Sequence, residues 1–249
     1  MLPGEAAGGA NVRAHLSAVR PLGLLSRWPT AYLTVARIRY GSERVLGDDT
    51  AVVIEGFPRS ANTFAVNAFQ LAQPSPVRVA HHLHEPAHVL AAARRGVPTV
   101  LLVRDPEDAI VSSVLRKPAL SIRGTADRYQ RFHDSLVPVA DRLVVADFEQ
   151  VTSDFGAVIR RLNDRYGTAF SPFDHTDENV ARCFALIDGQ SRDHPGVQGG
   201  AGRVLARPTE AKGGEHGRRI RERLAETLSE HERQRLRETY ARYRTLART

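Results

Sequence analysis

Ala51-Val52-Val53-Ile54-Glu55-Gly56-Phe57-Pro58-Arg59-Ser60-Ala61-Asn62-Thr63-Phe64 decides how the chain folds. Its opening AVVI is a short apolar run bounded by turn residues, the pattern of a strand buried on both faces. Glu55 to Ala61 reads as a loop. Asn62 to Gln73 reads as a helix with Phe64, Ala68, Phe69 and Ala72 on one side. A buried strand, a small-residue loop and a helix form a setting for anion binding, because the helix N-terminus offers free N–H groups and the positive end of its dipole. Ser60, Asn62 and Thr63 add hydroxyl and amide donors, and Arg59 adds a permanent charge in a forked geometry. The loop is not a Walker A motif, since the second Gly and the Lys are missing after Gly56. The plainer alternative is an ordinary βα turn capped by Asn62.

Outward from this stretch, strands and helices alternate. Val77 to Ala80, Thr99 to Val103 and Leu143 to Ala146 read as further buried strands. Helices are predicted over Pro86–Arg95, closed by Gly96 and Pro98, over Pro106–Arg116, and over Thr125–Ala140, with Pro138 ending the last early. Ser153 to Tyr166 is amphipathic, with Ser153 or Asp154 as its cap, and Asp177 to Asp188 is a further helix. Residues 11–40 read as short helical pieces, the second starting at Pro29. The pattern predicts one α/β domain, residues 1–249, with a central parallel sheet flanked by helices. Within it, 1–10 are expected to be disordered, 190–215 to form a mobile loop, and 216–249 to form basic C-terminal helices.

Composition removes several classes. Of the 249 residues 42% are hydrophobic, which excludes global disorder. The lone Cys183 excludes a disulfide framework and a CxxC zinc site. No apolar run approaches the roughly 18 residues of a membrane span. Met1 to Ala10 has neither the basic nor the apolar region of a secretory signal, so a reducing cytoplasm is expected. The net charge of +7 suggests a polyanionic partner, but residues 203–249 hold 13 basic and 7 acidic residues, so almost all the surplus sits there. Interleaved Glu residues and the lack of clustered aromatics argue against nucleic acid and for a solvated amphipathic tail.

A second motif, Arg104-Asp105-Pro106-Glu107-Asp108-Ala109-Ile110-Val111-Ser112, follows the TVLLV strand. Ligands of open parallel sheets bind beyond the carboxyl ends of the strands. Arg104 at such an end, and Ser112 about two turns into the next helix, are placed to close on one phosphate from two sides. The competing reading is an ion network of Arg104 with Asp105 or Asp108. Between the motifs lies Ala80-His81-His82-Leu83-His84-Glu85-Pro86. Its histidines suit proton transfer at neutral pH. His82 with His84, or His84 with His88, has zinc-ligand spacing, but Glu85 is the only carboxylate nearby and no metal is expected.

Together the motifs resemble the sulfotransferases that use 3′-phosphoadenosine 5′-phosphosulfate (PAPS). Phe57 to Phe64 is similar to that family's Y-P-K-S-G-T-T-W segment, and Arg104 to Ser112 matches its R-[ND]-P-x-D-x-x-x-S segment position for position. Asp147-Phe148-Glu149-Gln150-Val151 resembles the Y-E-D-L step, and the agreement spans roughly residues 50–170. The resemblance implies a P-loop-NTPase-like architecture with PAPS as donor and adenosine 3′,5′-bisphosphate as product. It puts Arg59 in the place of the catalytic Lys and Ser60, Ala61, Asn62 and Thr63 around the 5′-phosphosulfate. Phe64 takes the place of the adenine-stacking Trp, and Arg104 and Ser112 face the 3′-phosphate. His82 aligns with the family's base, with His84 the runner-up and His81 beside them. The family's C-terminal R-K-G clamp is not recognisable, with Arg207 and Lys212 as substitutes. The implied reaction moves a sulfuryl group to a hydroxyl or amine of a small-molecule or glycan acceptor. Tyr129 and Phe132 line its pocket or belong to a helix core. The rival classes are a P-loop-type small-molecule kinase and a nucleic-acid-binding module built on the basic C-terminus.

Overall fold

Four parallel strands form one sheet in the order β2-β1-β3-β4, in a computed structural model that describes residues 29–192 and 214–248. The expectations for residues 1–10, for most of the 190–215 loop and for Arg207 and Lys212 lie outside the described residues. The elements are α1 (Pro29–Tyr40), β1 (Val52–Gly56), α2 (Asn62–Ala72), β2 (Val79–His81), α3 (Pro86–Arg95), β3 (Thr99–Val103), α4 (Pro106–Arg116) and α5 (Ile122–Leu136). They continue with β4 (Val144–Asp147), α6 (Phe148–Ser153), α7 (Phe155–Tyr166), α8 (Asp177–Arg192), α9 (Glu215–Thr227) and α10 (Glu230–Leu246). The chain leaves β1 for one neighbour, β2, and then crosses to the other, β3. The switch point of the sheet therefore lies between the carboxyl ends of β1 and β3.

Local chemistry sets the boundaries. Asp105 caps α4 by accepting from the Asp108 N–H, and Ser121 caps α5 by accepting from Gly124, so α5 starts three residues earlier than its periodicity suggests. Its α-helix ends at Leu136, and the segment containing Pro138 continues as a 3-10 turn. A capping box between Asp147 and Gln150 starts α6, and the Asp154 carboxylate caps α7 through Ala157. The expected Ser153–Tyr166 helix is thus preceded by a separate short helix. Gly96 closes α3 at φ 67°.

Two strands differ from expectation. β1 runs on to Gly56, so Glu55 is a fully buried strand residue rather than part of the loop. β2 is displaced to Val79–His81, because the Gln70 side chain takes both the N–H and the carbonyl of Val77.

Alternate residues of β3 face opposite layers. Leu101 and Val103 pack with α4, α5, α9 and α10, while Val100 and Leu102 pack with α2, α7 and α8. Tyr32, Leu33 and Ala36 of α1 join a third cluster with Val53, Ala80 and Ala87. Tyr129 and Phe132 lie in the first cluster, so the helix-core reading holds for both. The C-terminal segment is not a solvated tail. Ile220, Leu224, Leu228, Leu236 and Tyr243 enter the same core, and the Tyr243 hydroxyl donates to the His133 carbonyl at 2.6 Å. Its charged residues form the outer face of two packed helices.

β1 and β3 approach closely at Gly56, whose register partner is Leu102. A Cβ there would lie 2.4 Å from the Leu102 carbonyl oxygen. Gly56→Ala should therefore destabilise the fold by about 1–3 kcal/mol, the usual cost of overpacking, read as a lower urea midpoint.

Candidate functional site

The two sequence motifs meet at the switch point. Beyond β1 the chain turns through two non-glycine residues in the left-handed region, Arg59 at φ 73° and Ala61 at φ 66°. Each costs about 1–2 kcal/mol in that conformation, so the surroundings must hold them. Arg104 at the end of β3 supplies part of the hold, donating to the Arg59 carbonyl at 2.9 Å. The Arg59 side chain crosses the other way, its Nε donating to Ser112 Oγ of α4 at 2.9 Å. Ser112 and Arg104 thus both engage Arg59, one at its side chain and the other at its carbonyl.

Arg104 is buried at the centre of a network. It lies 4.0 Å from the Phe148 ring centroid in cation–π geometry, and its carbonyl accepts from the Tyr129 hydroxyl at 2.7 Å. It pairs with Asp108 at 3.4 Å, and Asp108 also accepts from Arg221 of α9 at 2.7 Å. The ion-pair reading of Arg104 is thus realised together with its place at the strand end. Arg221 went unforeseen: more than a hundred residues separate it from Asp108, and only packing of α9 against α4 brings it in.

The turn presents an anion-ready surface. Ala61, not Asn62, is the N-cap of α2, with no capping side chain and no acidic residue in the first turn. Asn62 turns back to donate to the Phe57 carbonyl at 3.1 Å. Ser60 Oγ and Arg104 Nε are buried without a hydrogen-bond partner among the described residues. Burial, then the nearby Arg116 and Arg104 charges, lowers the Arg59 pKa to about 10, so the group stays cationic at neutral pH. Burial likewise lowers that of Arg104, against the opposing pull of Asp108. Phe64 is enclosed by Phe173, His175 and Phe184, with ring centroids 6.1, 5.8 and 5.6 Å away. Phe64 is therefore a buried ring of this aromatic group at the start of α2.

On the other side of β1, His81, His82 and His84 cluster. His82 and His84 are also left-handed, at φ 61° and 55°. His82 has both nitrogens engaged: Nε2 lies 3.1 Å from Thr63 Oγ1, and Nδ1 lies 2.6 Å from His81 Nδ1. His84 differs. Its Nδ1 meets the Gly56 carbonyl at 2.8 Å, which only an Nδ1–H can satisfy, so Nε2 is the acceptor nitrogen of the neutral ring. Burial, then the His84 and His81 neighbours, lowers His82 to about 3. Burial is also the main cause lowering His81, to about 4, and His84. Among the described residues no group of three His, Cys, Asp or Glu side chains is disposed to hold a metal. No helix of the described residues is long and apolar enough to cross a membrane.

Set against protein-family models and against curated proteins, the chain matches none.

The buried imidazoles give the fold a defined acid limit. In the core, His133 is lowered to about 4, chiefly by burial, as His81 is beside the site. The unfolded chain takes up these protons near pH 6.5 and the folded chain does not, so their contribution is intact above about pH 6.5 and is lost as the pH falls toward 4. For His133 alone the loss at pH 5 is on the order of 2 kcal/mol. Urea midpoints should fall between pH 7 and pH 5, and His133→Leu should fall less over that range than the parent chain.

Proposed function

We propose that the chain is a PAPS-dependent sulfotransferase with one P-loop-like α/β domain, moving a sulfuryl group to a hydroxyl or amine of a small-molecule or glycan acceptor. One observation carries the reading. The loop after β1 and the helix after β3 are cross-linked at the switch point by Arg59 on Ser112 and by Arg104 on the Arg59 carbonyl. These are the two motifs that the family uses for the two phosphate groups of one nucleotide. The residues fit such a ligand. The start of α2 is uncapped, Ser60 Oγ and Arg104 Nε have unused hydrogen-bonding capacity, and two guanidinium groups stand within the same network.

The donor supplies an activated sulfuryl group whose bond to a phosphate oxygen breaks as a new bond to the acceptor oxygen or nitrogen forms. The chain's part is placement and electrostatics, as in phosphoryl transfer. Arg59 and the N–H groups opening α2 neutralise charge on the departing phosphate. Arg in place of Lys keeps the charge but does not donate a proton, so this residue acts as an electrostatic partner only. An imidazole takes the acceptor's proton. His84 offers Nε2 with its tautomer held by Gly56, whereas His82 reaches an acceptor only by exchanging its contact with Thr63. Both rings are neutral at pH 7, the state a general base requires.

Calorimetric titration with adenosine 3′,5′-bisphosphate tests the nucleotide claim. We expect binding that Arg104→Ala weakens by at least about tenfold, the worth of one charged hydrogen bond. No binding, or equal binding by the variant, overturns it. His82→Ala and His84→Ala, assayed with labelled donor against phenols, sugars and amino sugars, assign the base: the true base loses turnover while keeping bisphosphate affinity.

A further inference from the structure

Glu55 is a carboxylate sealed in the central strand, and no step of the proposed reaction uses it. Its side chain is fully buried, on a strand flanked by β2 and β3. An ionised group in such a place costs several kcal/mol unless its surroundings repay it. Here Oε2 alone accepts three hydrogen bonds: from the Leu83 N–H at 2.8 Å, the His84 N–H at 3.0 Å and His88 Nδ1 at 3.1 Å. His88 is oriented for this task, because its Nε2 accepts from the Leu46 N–H at 3.1 Å and its Nδ1 therefore carries the proton. Burial pushes the Glu55 pKa up, but the His88 hydrogen bond and the nearby His84, His88 and His82 rings outweigh it and bring it to about 2. Oε1 has no hydrogen-bond partner among the described residues and lies 3.6 Å from His84 Nδ1.

The backbone groups that Glu55 receives are those directly after His82, in a segment where His82 and His84 both hold a conformation that L-residues avoid. The His82 and His84 rings are anchored to Thr63 and to the Gly56 carbonyl, but neither ring bonds the backbone N–H groups of the bend. The carboxylate does, from a neighbouring strand, and α3 supplies the ring that holds the carboxylate.

We propose that Glu55 is a positioning residue: it fixes the His82-Leu83-His84 bend over the carboxyl end of β1 and so sets where both imidazoles stand relative to the start of α2. Its role in turnover rests on the sulfotransferase reading; its hold on the bend does not.

The test uses the full chain and Glu55→Gln, which keeps the shape, removes the charge and leaves one uncharged carbonyl oxygen to accept from the Leu83, His84 and His88 donors. Four readouts apply: amide NMR shifts of Leu83 and His84, bisphosphate affinity, donor-dependent kcat and thermal stability. Displaced Leu83 and His84 amides, unchanged bisphosphate affinity and a kcat lower by about a hundredfold, within what a well-placed base contributes, support the proposal. Unmoved amides overturn it, as does a parallel loss of kcat, nucleotide affinity and thermal stability, the mark of a purely structural residue. If Glu55→Gln does not fold, Glu55→Asp, with its charge drawn back by one methylene, is judged by the same readouts, and failure of both to fold overturns the proposal. If the parent chain binds no bisphosphate, the sulfotransferase reading falls, while the amide shifts still decide whether Glu55 holds the bend.

Discussion

A guanidinium reaching from the end of one strand to the backbone beyond its neighbour organises this protein. Arg104 donates to the Arg59 carbonyl, and its own carbonyl is held by Tyr129 of α5. Its charge lies over Phe148 at the start of α6 and pairs with Asp108 of α4, which Arg221 of α9 also engages. A single buried cation thus links the turn after β1 to elements from the middle and the end of the chain. The left-handed Arg59 and Ala61 are tenable because this link and the Arg59–Ser112 bond leave the turn little freedom to relax.

The carboxyl end of β1 separates two electrostatic environments. Toward β3 stand the arginines, with Asp108 as a shared counter-charge. Toward β2 stand the imidazoles, with Glu55 beneath them. Burial keeps the rings neutral beside this carboxylate, because charging a ring there costs more desolvation than one buried carboxylate returns. One half is cationic, and the other holds neutral imidazoles over a buried carboxylate. The sheet holds the two within one loop's reach of each other.

Side chains far apart in sequence complete both halves. His88 and Leu46 fix Glu55 from α3 and from the segment before β1. Tyr243 donates to the His133 carbonyl, joining α10 to α5 behind the Arg104 network. A cavity of about 310 Å³ at the start of β4 lies away from these groups, and its Arg161 is bonded to the Val145 and Ala247 carbonyls. That guanidinium serves the strand edge and the end of α10.

Apolar runs such as TVLLV, helix-opening prolines and capping aspartates act locally, so the sequence by itself determined the alternation of strands and helices and the positions of Arg59 and Arg104 at strand ends. Partners supplied from a distance left no local mark. Glu55 reads as a loop residue because a charge ends an apolar run, and only the donors of Leu83, His84 and His88 make it a strand residue. Phe64 has the pattern of an available ring until Phe173 and Phe184 enclose it. The C-terminal segment is so rich in charge that its buried stripe is hard to see, and packing of Ile220, Leu224 and Tyr243 into the core decided that it is part of the body. Hydrogen bonding and burial between remote segments are properties of the folded arrangement, and only the tertiary structure decided how the arginines, the imidazoles and their buried carboxylate come to share one end of the sheet.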